Sequence, residues 1–407
     1  MVKPIVYLMI PFLLPGLAGL LAASYIAEPL GSAIVASSAP VATPELLEQS
    51  WSAYRQRFIQ ADGRVIDWER DARTVSEGQA YAMLRAVFAN DPDTFALTLK
   101  WAEDNLRRVA QSNGQPTDSL WAWKWGQNDQ GEWGILDQNF ASDADLDAIT
   151  ALIFASRRWN RPDYLELAHT KLKDLWTLAT LTTESGRRQQ RYFLPGPVSS
   201  FQPKPDVIYL NPSYLAPYAF RLFAQVDPER DWLSLVDSSY QVLQDSTQLS
   251  KVGLPSDWVA LHLETGRFST APVTARLRST YSFDAYRVWW RVALDAEWFD
   301  EPRAKAFLEE HLQHLQQLWQ TNQRIPARIN LRGAATARYE ATSQYAMLYP
   351  AFRIVDAEIA EEIRQQKLLT TYNNGIWDND SAYYVQNLAW LGLFPAAEVD
   401  EDWLQAE

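Results

Sequence analysis

The chain has 407 residues, 47% hydrophobic and 21% charged, a globular composition with room for two average domains or one large one. A formal net charge of -13, with no basic run, argues against nucleic-acid binding, and the lack of cysteine excludes disulfides, thiolate metal sites and cysteine nucleophiles. The 18 Trp and 18 Tyr suit a large core and also flat ligands such as sugar rings, which stack on aromatic faces.

The uncharged stretch from Pro4 to Ala27, after Lys3, is long enough to span a membrane, but Pro11, Pro15 and Gly16 weaken it as a straight helix. Residues 1–27 read as a cleaved export signal or a retained N-terminal anchor, and 28–43, rich in Ala, Ser and Pro, as a linker. Either places the remainder in the periplasm or outside the cell, with membrane contact confined to the N-terminal segment.

From Pro44 onward the apolar spacing predicts twelve helices, near 44–59, 76–89, 92–109, 143–158, 161–177, 212–225, 228–246, 282–294, 298–320, 339–354, 356–370 and 381–393. Short strands fit the connections, for example Arg191 to Leu194. The even-numbered helices are rich in alanine and poor in charge, as in Ala80, Ala82, Ala86 and Ala89. The odd-numbered ones keep a polar face, as in Lys100, Glu103, Asp104, Arg107 and Arg108. Inner helices touch neighbours on every side, whereas outer ones keep a wet face. The alternation predicts an all-α toroid of six helical hairpins, an (α/α)6 barrel spanning 44–407 as one domain. A two-domain helical array is the alternative.

The segments leading into the even helices collect polar and aromatic residues. They include Arg73 to Gln79, Asp137 to Asp147, Tyr209 to Tyr214, Tyr281 to Arg287, Glu340 to Ser343 and Trp377 to Ser381. In an alternating barrel these helix starts face one end, which predicts a single cleft. The fourth start holds Ser142, a good N-cap residue, followed by Asp143, Asp145 and Asp147. First-turn acids suit the helix dipole, so capping is the bland reading of all three.

His169, His262, His311 and His314 all lie away from the even helix starts, with His311 and His314 expected in solvent on an outer helix. The chain lacks a His-Glu-x-x-His zinc pattern, a phosphate loop and a Gly-x-Ser-x-Gly elbow, and neither metal nor cofactor is expected. Two-carboxylate chemistry remains, and glycoside hydrolysis is its commonest form. A glycan-binding subunit without activity and a polysaccharide lyase are the competing classes. Trp121, Trp123, Trp125, Trp133, Tyr209, Tyr214, Trp258 and Trp377 are candidate sugar platforms. Trp125 and Trp133 are favoured by their place in a Gly- and Asn-containing loop before the acidic helix. Trp51, Trp101, Trp159, Trp232 and Trp319 read as packing.

Ala141-Ser142-Asp143-Ala144-Asp145, with Ala151, Ala155 and Trp159, resembles the signature of glycoside hydrolase family 8, the inverting endoglucanases that include the cellulase of bacterial cellulose-synthesis systems. Ser76-Glu77-Gly78-Gln79, Asn211-Pro212-Ser213-Tyr214, Pro255-Ser256-Asp257-Trp258, Asp284-Ala285-Tyr286-Arg287 and Tyr383-Tyr384-x-Gln386-Asn387-Leu388 extend the resemblance from about Trp51 to Leu393. It implies Glu77 as general acid, Asp284 as the base that activates water, Asp143 against the sugar at the cleavage point, and Arg287 paired with acids. It also implies a β-1,4-glucan substrate, with a cellulose-synthase complex as partner; xylan, lichenan and chitosan are substrates within the family. Phe283 stands where the family often has Tyr. Glu77 at a helix start carries a tension: the dipole lowers a carboxyl pKa, while a general acid needs it raised. Burial or a second carboxylate must reverse the shift.

Overall fold

The computed structural model describes residues 43–110, 114–185 and 188–405. The expected export signal or anchor and nearly all of the linker lie outside these residues. Among the described residues no helix is long and apolar enough to cross a membrane. The twelve principal helices, in chain order, are α1 Thr43–Phe58, α2 Ser76–Phe88, α3 Pro92–Asn105, α4 Ser142–Trp159, α5 Pro162–Ala179 and α6 Pro217–Val226. They continue with α7 Trp232–Thr247, α8 Tyr286–Phe299, α9 Pro302–His311 resuming as Gln313–Asn322, α10 Thr342–Val355, α11 Ala357–Ile363 and α12 Tyr383–Leu393.

The even helices form a closed ring. α2 packs on α4, α4 on α6, α6 on α8, α8 on α10, α10 on α12, and α12 returns to α2. Each of α3, α5, α7, α9 and α11 packs on the inner helix before it, and α1 covers α12. The result is an (α/α)6 barrel. Composition explains the division of labour. Every residue from Ser76 to Val87 of α2 and from Ser142 to Ser156 of α4 is buried, whereas α3 buries only a stripe through Phe95, Leu99 and Trp101. Small residues allow close approach: a Cβ on Gly392 of α12 would lie 2.1 Å from the Ala346 carbonyl oxygen of α10. Gly392→Ala would therefore push two inner helices apart.

Two ion pairs fix the relative direction of α4 and α8. Asp143 pairs with Arg287 at 2.8 Å, and four residues further along both helices Asp147 pairs with Arg291 at 2.8 Å. Matching i, i+4 rungs require both helices to start at the same end and run the same way.

Several boundaries differ from the sequence expectation for local reasons. α3 stops at Asn105, and Arg107–Val109 instead pairs with Pro116–Trp121 as a hairpin. The segment at 212 makes only a 3-10 turn, Pro212–Tyr214, before α6 starts at Pro217. α8 begins at Tyr286 rather than 282, because the backbone N–H groups of Ser282 and Ala285 donate to the Asp257 side chain. Connections also hold more strand than expected, including a three-stranded sheet of Thr74–Val75, Lys124–Gln127 and Trp133–Asp137, and another of Val207–Leu210, Val259–His262 and Arg267–Thr270.

Two further expectations are corrected. Ser142 is not the cap of α4: the cap is Ala141, and the Ser142 hydroxyl donates to the Leu194 carbonyl. His311 is not solvated but buried, packed on the Phe307 ring 4.5 Å away, and His314 is half-buried, so burial lowers the pKa of both.

Candidate active site

Three inner helices bring carboxylates to one guanidinium. Glu77 is the second residue of α2, Asp143 the second of α4, and Asp284 lies two residues before α8. Arg287, in the first turn of α8 and fully buried, donates through Nη1 to Glu77 Oε2 at 2.6 Å and to Asp143 Oδ2 at 2.8 Å. Its Nη2 donates to Asp284 Oδ1 and to Ser213 Oγ, both at 3.1 Å. Burial opposes the charge of Arg287, but the tyrosines and carboxylates around it outweigh burial, and its pKa rises well above the usual value. The Tyr214 ring lies 5.4 Å beneath the guanidinium.

The bland reading of Asp143, Asp145 and Asp147 as caps fails, since each is buried and engaged elsewhere. Asp143 meets Arg287 and Asp147 meets Arg291. Asp145 accepts from the Trp121 backbone at 3.1 Å, and burial pushes its carboxyl up to about 7. Asp145, two residues on, turns to another face of α4, and Asp147 shares the face of Asp143 but lies one turn further along, where it meets Arg291, so only Asp143 reaches the Glu77–Asp284 cluster.

Glu77 is 2% exposed, and the Tyr383 hydroxyl donates to its Oε1 at 3.0 Å. Burial pushes its carboxyl up to about 7; Arg287 pulls it back, and the charge of Asp143 adds to the rise. The helix-dipole tension is thus resolved by desolvation. Asp284 is the most open of the three, with its side chain 18% exposed. Burial raises its pKa against the pull of Arg287, Asp143 raises it further, and hydrogen bonds from Asn211 (3.2 Å) and Trp258 lower it.

The profile of glycosyl hydrolases family 8 matches residues 23–393. The chain belongs to that family. It is 35% identical over 254 residues to an endoglucanase of Xanthomonas axonopodis pv. citri (strain 306), covering 60% of each chain, and 30% identical over 247 residues to an endoglucanase of Escherichia coli (strain K12), covering 60% of this chain and 62% of that one. The matched region is thus about 60% of the length of these relatives. The solved endo-1,4-D-glucanase from Vibrio fischeri ES114 superposes with a TM-score of 0.71 at 27% identity, covering 87% of this chain and 97% of that one. The endo-beta-1,4-glucanase CMCax from Acetobacter xylinum gives 0.67 at 25% identity, covering 88% and 99%.

Around this family 8 cluster the aromatic candidates separate by exposure. Trp133 is 48% exposed; Trp125 stacks beneath it at 5.1 Å, meets Trp101 edge-on, and the Arg64 guanidinium lies 4.5 Å from Trp125 and 4.6 Å from Trp133. Tyr209 is half-buried, while Tyr214 and Trp258 are buried beside the cluster with ring centroids 6.3 Å apart. Trp121 and Trp377 are wholly buried packing residues, not platforms.

Sequence reasoning singled out no role for Asp257, Asn211, Ser213, Tyr81, Tyr383 or Tyr384, although all but Tyr81 sat in quoted motifs. Asp257 Oδ1 accepts from the backbones of Ser282 (3.1 Å) and Ala285 (3.0 Å), and its Oδ2 from the Ser282 hydroxyl. It therefore grips both ends of the turn that carries Asp284. Burial, then the charge of Asp284, pushes Asp257 up to about 7. The Tyr384 hydroxyl donates to the Phe283 carbonyl at 2.8 Å, holding the same turn from the other side.

Proposed function

We propose that the chain is an endo-β-1,4-glucanase that hydrolyses cellulose-type glucan with inversion. The observation that carries the reading is the buried Arg287 cluster, which holds Glu77, Asp143 and Asp284 together and leaves Glu77 near pKa 7. In this reading Glu77 is the general acid. Arg287 occupies Oε2, so the proton sits on Oε1 and passes to the departing glycosidic oxygen, with Tyr383 aligning that atom. Asp284, the more solvated carboxylate, takes a proton from the attacking water. An inverting pair stands roughly 6.5–9.5 Å apart to admit that water, and Glu77 and Asp284 sit on different nitrogens of one guanidinium rather than sharing a proton. Asp143 receives the sugar at the cleavage point. Trp133, backed by Trp125, is the outer stacking platform; Tyr209, Tyr214 and Trp258 line the site near the base.

Asp145 and Asp257 are also pushed up to about 7, so it is the pairing of Glu77 with the more open Asp284 on one guanidinium, which a binding subunit has no use for, that favours the enzyme. Export to the periplasm or beyond, by the N-terminal signal or anchor, and work beside a cellulose-synthase complex complete the reading. The test is reducing-end release from β-1,4-glucans, with the anomer of the first product read by NMR. An α-anomer is expected. A β-anomer removes the inverting assignment, and no release from any β-1,4-glycan removes the enzyme.

The Asp257 grip makes a separate prediction. Asp257→Asn keeps the shape but puts an amide where carboxyl oxygens accept from Ser282 and Ala285, so the grip on the base turn loosens. kcat is expected to fall about tenfold while the acid limb of the kcat/KM profile stays in place, because Asp257, raised to about 7, is already uncharged there. An unchanged kcat would show that the grip does not position the base.

A further inference from the structure

The base side of the cleft carries a charge opposite to that of the whole chain. Segments 251–282 and 324–340 hold eight Lys and Arg against three acids, while the chain is at -13. One of those acids, Asp257, is buried under the base turn. The segments are joined in space. Tyr281 and Ile329 exchange backbone hydrogen bonds at 3.0 and 3.1 Å, the Thr280 hydroxyl donates to the Ile329 carbonyl, and the Lys251 N–H donates to the Leu331 carbonyl at 2.7 Å. Asp284 follows Tyr281 by three residues, so this surface adjoins the cleft where the base stands.

Elsewhere surface arginines find acids, as Arg161 does with Asp163 and Arg303 with Asp237. Here Arg324 reaches Glu340 at 3.7 Å, but Arg267, Arg276, Arg278, Arg328, Arg332 and Arg338 have no acid within ion-pair distance among the described residues. All of these except Arg328 are exposed. Arg328 lies over the ring of Phe283, the neighbour of the base, at 5.6 Å; its Nε and Nη2 are shielded from water and have no acceptor. Unmet guanidinium donors beside a cleft favour an arriving anion. Tyr339, 48% exposed, adds a flat face in the same segment.

We propose that this rim binds acidic groups on the glycan, so that the substrate class is a β-1,4-glucan bearing carboxyl or similar anionic substituents and cationic chitosan is disfavoured. The inference rests on the hydrolase reading above. Several unpaired cations along one edge raise the local concentration of an anionic chain, an effect that salt screens over about 8 Å at physiological strength.

The test compares the wild type with the combined variant Arg276→Ser, Arg332→Ser and Arg338→Ser on carboxymethylcellulose, neutral hydroxyethylcellulose and chitosan. Carboxymethylcellulose KM is expected to rise several-fold in the variant at about 0.02 M salt and to converge with wild type at about 0.5 M. Hydroxyethylcellulose kinetics should not change, and wild-type chitosan turnover should be the slowest. An unchanged carboxymethylcellulose KM overturns the proposal, as does an equal loss on both glucans, which would mean damage to the cleft. Sedimentation with phosphatidylglycerol vesicles that is lost in the variant, with glucan kinetics intact, would assign the rim to a lipid surface instead. No activity of the wild type on any of the polymers would remove the hydrolase reading, not the rim alone.

Discussion

Glu77→Gln is expected to lower kcat on cellulosic oligosaccharides by about 10²–10⁴-fold, the usual worth of a positioned general acid. Gln fills the same space and its carbonyl oxygen still accepts from Arg287, while its amide nitrogen donates towards the Tyr383 oxygen, but it cannot donate an acidic proton. The pH profile carries a second signature. A general acid at Glu77 must be protonated to act, and burial pushes this carboxyl up to about 7. Wild-type activity should therefore decline as pH rises through that value, and the decline should vanish in the variant. An aryl glycoside with a leaving group that needs no proton should recover most of the lost rate. Rates on natural substrate that survive the substitution would displace Glu77 from its role, while leaving the cluster geometry untouched.

Arg287→Met is expected to be the most damaging change to stability. One buried guanidinium serves three carboxylates, all at least partly desolvated, and removing one partner of a buried ion pair costs about 3–5 kcal/mol. The pH dependence fixes the cause. Without the guanidinium the folded-state pKa values of Glu77 and Asp284 rise further above their unfolded values of about 4. At these sites the native variant then binds more protons than the unfolded chain, so their contribution to stability is fully present below about pH 4 and is lost as pH rises through the raised native values. Urea unfolding at about pH 5 and about pH 8 should show a deficit that widens with pH. A deficit of equal size at both would mean lost packing, not uncompensated charge. Arg291→Met, which strands only Asp147, is the comparison expected to be milder.

Much of the barrel was legible before any coordinates. The alternation of alanine-rich and amphipathic segments is a local property, because an inner helix must be apolar all round and an outer one on a single stripe. All twelve helices follow it. The misses came where a contact from elsewhere overrode local preference. Asp257 captures the N–H groups that would otherwise begin α8 early. Ser142 looks like a cap but finds the Leu194 carbonyl instead. His311 stands on a charged outer helix yet packs inward against Phe307.

The sequence by itself determined the helix count, the inner and outer roles, and which acids stand at helix starts, since each depends on residues within a few turns of one another. Only the tertiary structure decided that one guanidinium, Arg287, joins Asp143 to Glu77 and Asp284 while Asp145 and Asp147 meet other partners, that burial outweighs the helix dipole at Glu77, and that the arginines of segments 267–278 and 328–338 find no acid among the described residues. Those outcomes depend on burial and on charges brought together across as many as 210 residues of chain, and a carboxylate's proton affinity is set by its neighbours in space, not its neighbours in sequence.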